Sequence, residues 1–167
     1  MSRMWEQKKL SLKGELEKVA RLSPVLDALM WEDRGDACRA VVGFRTKTLV
    51  RGSNGEITTD GPVVVGIRYL ERFVSQAPHP MEIASIVQPD RIFHPNCNPA
   101  GATCLGHPTA GLTLELILNQ LWAGLTINMK VVNTRWGQIV NRAAADYVRA
   151  NAHRFPLTRK GLLEAPD

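Results

Sequence analysis

The chain has 167 residues, 44 % of them hydrophobic and 22 % charged, with a formal net charge of +5. This composition suits one globular domain over residues 1–167 with its own apolar core. It excludes a membrane-spanning protein, because the richest apolar run, LTLELILNQLWAGLTI, is broken by Glu115, Asn119 and Gln120.

The opening MSRMWEQKKL lacks the apolar centre of a secretion signal. Cys38, Cys97 and Cys104 are an odd number of thiols, which argues for a reduced, cytoplasmic protein over a disulfide framework. Basic residues gather at both ends: Lys8, Lys9, Lys13, Lys18 and Arg21, then Arg135, Arg142, Arg149, Arg154, Arg159 and Lys160. They are not interleaved with aromatics, and no nucleic-acid motif accompanies them. A solvated basic face, or one that meets an acidic protein, is expected, with neither nucleic acid nor membrane as partner.

Residues 11–22 place Leu12, Leu16, Val19 and Ala20 at helical spacing, and Ser23-Pro24 ends that helix. A weaker strand pattern follows at residues 25–31. From Val42 to Val50 the period changes to two, with Val42, Phe44, Thr46, Thr48 and Val50 on one side of a strand. GSNGE is a turn, ITTDGP a continuing loop or short strand, and residues 63–73 a second long strand that shows Val65, Ile67 and Tyr69 to one face. Pro78 and Pro80 precede a third strand over residues 82–87. Successive strands joined by turns predict an antiparallel meander.

Beyond residue 112 the period is helical again. Leu114, Ile117, Leu118, Leu121 and Leu125 form a stripe behind Thr113 as N-cap. A last helix is expected from Thr134, with Trp136, Ile139, Val140, Ala143 and Tyr147 inward. Helix, antiparallel sheet, long loop and helices make an α+β fold, with the helices on one face of the sheet.

The long loop, IFHPNCNPAGATCLGHP at residues 92–108, concentrates the chemistry. Three readings are open. His94, Cys97, Cys104 and His107 are zinc-ligand types, though the spacer between the cysteines is short and Pro95 stiffens the first pair. Cys104 with His94 or His107 would be a Cys–His hydrolase pair, without the usual local signatures. A thiol that carries an acyl group needs only a rigid, exposed position with a donor nearby, and His-Pro-Asn supplies the stiffness and the amide.

The last arrangement resembles the ubiquitin-conjugating enzymes. Their signature is His-Pro-Asn, seven residues and a cysteine followed by leucine; here His94-Pro95-Asn96, CNPAGAT and Cys104-Leu105 stand in that order, with Asn98 and Gly101 at the family's turn. VGIRYLERFVSQAPHPMEIASIVQPDRIFHPN is similar to the strands and proline-rich loop that lead into the signature. GLTLELILNQLWAGL is similar to the helix that follows it, and NRAAADYVRANAHRF to the closing helix.

The resemblance implies the family's fold: an N-terminal helix, a four-stranded antiparallel meander, the active-site loop and C-terminal helices. It implies no cofactor. Cys104 would carry the C-terminus of a ubiquitin-like protein as a thioester, received from an activating enzyme and passed to an amine on a protein substrate. Asn96 would organise the loop and donate to the oxyanion. His94, Pro95, Leu105 and His107 would support the loop, with His94 structural and Cys97 and Cys38 in the core. Lys9 and Lys13 on the first helix would meet the activating enzyme, while Pro78, Pro80 and residues 106–112 would meet a ligase. Two departures mark a divergent member of a bacterial type, of which some serve phage defence: Gly106 replaces the acidic residue usual after Cys-Leu, and GHPTAGLT replaces a longer loop. The alternatives are a non-catalytic module of the same fold that binds a ubiquitin-like protein, and a zinc-stabilised domain.

Overall fold

The computed structural model describes residues 2–130, 132 and 139–164. Helix α1 runs from Arg3 to Leu22, two turns earlier than the apolar stripe predicts. Ser2 starts it by accepting the Trp5 N–H. Trp5, Lys9, Leu12, Leu16 and Val19 recur at three- and four-residue steps and form its buried face. The early turns read as polar because Lys9 is a charged residue on that face. Its ammonium is satisfied by Asp33 at 2.7 Å and Glu6 at 2.9 Å, and its stem packs inward.

The main sheet is antiparallel, in the order β1 (Leu26–Asp33), β2 (Ala37–Phe44), β5 (Val63–Leu70), β6 (Ala84–Gln88) and β7 (Ala102–Thr103). Strands β3 (Thr48–Arg51) and β4 (Ile57–Asp60) form a separate hairpin. The single strand expected from Val42 to Val50 is therefore two strands around a corner. There the Arg45 N–H turns to Val25 O and the Thr46 N–H to Phe44 O. Gly61 lies against this corner so closely that a Cβ would sit 2.1 Å from Thr46 O. Val42, Phe44, Thr48 and Val50 are buried, but Thr46 is only half-buried, Leu49 of the opposite set is buried too, and the residues serve two sheets.

The expected strand over 63–73 stops at Leu70, where a 3-10 turn over Glu71–Val74 delivers Phe73 to the core. Helix α2 (Leu114–Leu125) forms where predicted, with Thr113 Oγ1 accepting the Leu116 N–H. The Glu15 carboxylate also accepts the Leu114 N–H at 2.6 Å, which ties α1 to the positive end of α2. Ile117, Leu118 and Leu121 of α2 join Leu12 and Leu16 of α1 and Val42, Val65 and Ile67 of the sheet in one core. Each fully buried aliphatic side chain stabilises the fold by about 1.5–3 kcal/mol. The architecture is thus the α+β arrangement expected: N-terminal helix, antiparallel meander, loop, C-terminal helices.

Helix α3 spans Arg142–Ala150, capped by Asn141. The start expected at Thr134, with Arg135 and Trp136, lies outside the described residues. Ile139 and Val140 precede the helix, and Ala144, Ala145 and Val148 are its buried face, with Ala143 exposed and Tyr147 half-buried. Of the expected stripe, Ile139 and Val140 therefore lie outside α3, and Ala144, Ala145 and Val148 form its inner side in place of Ala143 and Tyr147. Among the described residues, no helix is long and apolar enough to cross a membrane.

Candidate active site

The His-Pro-Asn to Cys-Leu spacing is the length of a small hairpin. Asn96 and Cys104 face each other across it: the Cys104 N–H donates to Asn96 O at 2.7 Å, and the Asn96 side-chain amide donates to Cys104 O at 3.4 Å. One step further in, Cys97 pairs with Thr103. At the tip, Asn98 O accepts from the Gly101 N–H while Asn98 Oδ1 accepts from the Ala102 N–H. Gly101 has φ +90°, and a Cβ there would stand 2.4 Å from Ile86 O, so only glycine lets the tip seat on β6.

His94 holds the other end. It is 1 % exposed. Its Nδ1 accepts the Asn96 N–H at 3.0 Å, which leaves the proton on Nε2, and Nε2–H donates to Gly124 O on α2 at 2.8 Å. Burial pushes its pKa down to about 4, so the ring is neutral at physiological pH. Both nitrogens are engaged, which leaves no lone pair to act as a base for Cys104 or to bind a metal. Pro95 is buried, and its carbonyl accepts the N–H groups of Val140 and Asn141 just before α3. The Leu105 N–H donates to Pro80 O at 3.1 Å, and the Leu105 side chain is buried.

Cys104 thus sits between two buried residues, Thr103 and Leu105, and is itself half-exposed, whereas Cys38 and Cys97 are buried. Burial raises the Cys38 pKa to about 11 and the Cys97 pKa to about 12, which keeps both as inert thiols. Cys104 opens on a cavity of about 210 Å³ that Asn96, Leu105, Gly106 and His107 also line, opposite Gln120 and Gly124 of α2.

The structure brings together His94, Pro95, Asn96, Cys104 and Leu105, with exposed His107 at the cavity rim. The four residues of the zinc reading all line this cavity, but among the described residues no group of three or more His, Cys, Asp or Glu side chains could hold a metal. The expected docking residues divide. Lys13 has a half-exposed side chain near Glu17, whereas Lys9 is turned inward and paired, so its charge is spent on packing α1 against β1. Pro78 is buried, and Pro80 is half-buried and supports the site through its carbonyl, which accepts the Leu105 N–H. The carbonyls of Gly124 and Pro80, which hold His94 and Leu105, have no side-chain signature and escape sequence reading. Gln120 had one, since it interrupts an apolar run on α2.

No family model matches the chain, and no curated protein does. A solved structure titled S. cerevisiae Ubc12 is similar to it, with a TM-score of 0.49 and 20 % identity over 86 % of this chain and 71 % of that one.

Proposed function

We propose that this chain is a conjugating enzyme for a ubiquitin-like protein, with Cys104 as the acyl carrier. The observation that carries the reading is the pairing of Asn96 with Cys104 across a clamped hairpin, at a cavity that leaves this one of the three cysteines half-exposed. The Cys104 thiolate attacks the activated C-terminal carbonyl of the modifier, and the activating group leaves. An amine of the protein substrate then attacks the thioester carbonyl, and the Cys104 thiolate departs from the tetrahedral intermediate.

The Asn96 amide, already directed at the Cys104 backbone, is the donor for the oxyanion. One such donor contributes about 3–4 kcal/mol to the transition state. His94 acts through Asn96, by fixing that residue's main chain. The exposed side of α1 around Lys13 faces the activating enzyme, and residues 106–112 face a ligase. The chemistry needs Cys104 reduced, which fits a cytoplasmic setting.

Ubiquitin supplied as its C-terminal thioester with mercaptoethanesulfonate tests the chemistry without an activating enzyme. Wild-type protein is expected to gain a ubiquitin adduct that reductant removes and Cys104→Ala lacks. Free lysine should strip this adduct faster than it attacks the mercaptoethanesulfonate thioester itself. In Asn96→Ala, stripping should slow by about a hundredfold. An adduct on Cys104 with no such acceleration would replace the enzyme with a passive binding module of the same fold.

A further inference from the structure

Among the described residues, Gln120 is the one side chain lining the Cys104 cavity that has a buried polar atom without a partner. It lies on α2 one helical turn before Gly124, so the two share the face turned to the active-site hairpin. Its neighbour Asn119 uses its amide on Glu115 O. The Gln120 Oε1, in contrast, is buried and meets no donor among the described residues. A buried carbonyl without a donor is unfavourable, and the cavity that Gln120 shares with Cys104 singles it out.

The titratable side chains that line the cavity are His94, Cys97, Cys104, His107 and Lys130; among the described residues, no carboxylate lines it. At about 210 Å³ it has room for about seven waters at roughly 30 Å³ each, enough for the alkyl chain and amine of a lysine.

We propose that Gln120 positions the incoming amine, its carbonyl oxygen accepting a hydrogen bond from the amine N–H as the nitrogen approaches the thioester on Cys104. This rests on the conjugating reading above. The oxygen reaches the cavity by rotation about the last side-chain torsion, which is broad in energy and here breaks no hydrogen bond of that atom. The amine nitrogen forms the new bond to the carbonyl carbon, the carbon–sulfur bond breaks, Cys104 leaves as thiolate, and the surplus proton passes to water. A neutral amide orients the nucleophile without taking that proton.

The test is single-turnover discharge of ubiquitin from Cys104, loaded with the mercaptoethanesulfonate thioester, to free lysine. Gln120→Leu should load as wild type but discharge roughly tenfold more slowly, the loss of one hydrogen bond in the transition state. Its melting temperature should hold or rise, since an unpartnered buried oxygen is removed; this separates the role from a structural one. Gln120→Glu keeps the acceptor and should discharge at or above the wild-type rate. Wild-type discharge by Gln120→Leu overturns the proposal. So does a Gln120→Glu rate as low as that of Gln120→Leu, which would assign the amide N–H to the oxyanion. Wild-type protein that never loads at Cys104 defeats the conjugating reading itself, and this inference with it.

Discussion

Two hairpins in this chain share their local chemistry and differ in everything around it. The β3–β4 hairpin turns through residues 52–56, with Asn54 Oδ1 accepting the Glu56 N–H and Gly55 at φ +82°. The hairpin that joins Asn96 to Cys104 turns through residues 98–102, with Asn98 Oδ1 accepting the Ala102 N–H and Gly101 at φ +90°. The first is attached along β3, where the Phe93 N–H donates to Leu49 O and the Arg51 N–H to Arg91 O, and its tip stands in solvent. The second is held at the tip by Ile86, at Pro95 by the entry to α3, at His94 by α2, and at Leu105 by Pro80. Pairing between two short strands is marginal by itself. What holds the second hairpin in place is its ring of contacts to four distant segments.

The largest break in this comparison should come from the two tip glycines. Gly101→Val combines left-handed strain with a collision against Ile86 O and should cost about 3 kcal/mol or more of stability in urea unfolding. Gly55→Ala meets no atom within 4 Å and should cost only the conformational strain, about 1 kcal/mol. Equal losses would mean that the active-site tip is as free as the other.

Acid should attack one hairpin and spare the other. The His94 pKa is about 4 in the fold, below its ordinary 6.5, so the unfolded chain binds the extra proton first. The stability gained from a neutral His94 is complete above about pH 6.5 and is lost as pH falls towards 4, by up to about 3 kcal/mol. Protonation of Nδ1 also expels the Asn96 N–H, so the site should loosen as it destabilises. Amide hydrogen exchange at Asn96 and Cys104 should quicken over that window while Val50 and Thr58, paired across the other hairpin, keep their protection. Carboxylates such as Asp33 and Glu82, whose pKa values are lowered by Lys9 and Arg72, add their own loss at lower pH. A His94 NMR titration centred near 6.5 in the folded protein would contradict the assignment.

The smallest effects sharpen the contrast. Asn98→Ala and Asn54→Ala each remove one side-chain cap on a turn. The first leaves the Ala102 N–H unpaired beside a packed hairpin and should cost about 1–2 kcal/mol; the second exposes the Glu56 N–H to water and should cost under ~0.5 kcal/mol. Thermal melting of the two variants checks both values.

Much of the molecule was legible in the residues, for local reasons. Helix α2 follows from a leucine stripe with threonine in front of it, and the meander from period-two runs divided by turns. The distance from Asn96 to Cys104 is a hairpin length, so a motif read as a pattern of letters turned out to be a pairing of main chains. Strand β7 was hidden because two residues have no periodicity. The turn of chain at Arg45 was hidden because the groups packed against it, Val25 O and Gly61, lie far along the sequence.

Sequence by itself determined the kinds of elements, their order and the identity of the exposed-thiol loop, since periodicity, capping and turn chemistry act over a few residues. Tertiary structure alone decided that His94 is a neutral strut, that Lys9 packs inward, that Pro80 holds Leu105 through its carbonyl, and that Gln120 lines the same cavity as Cys104. Those roles depend on carbonyls and carboxylates brought from distant segments. A main-chain carbonyl is the same atom at every position, so only the folded path of the chain reveals which one receives a bond.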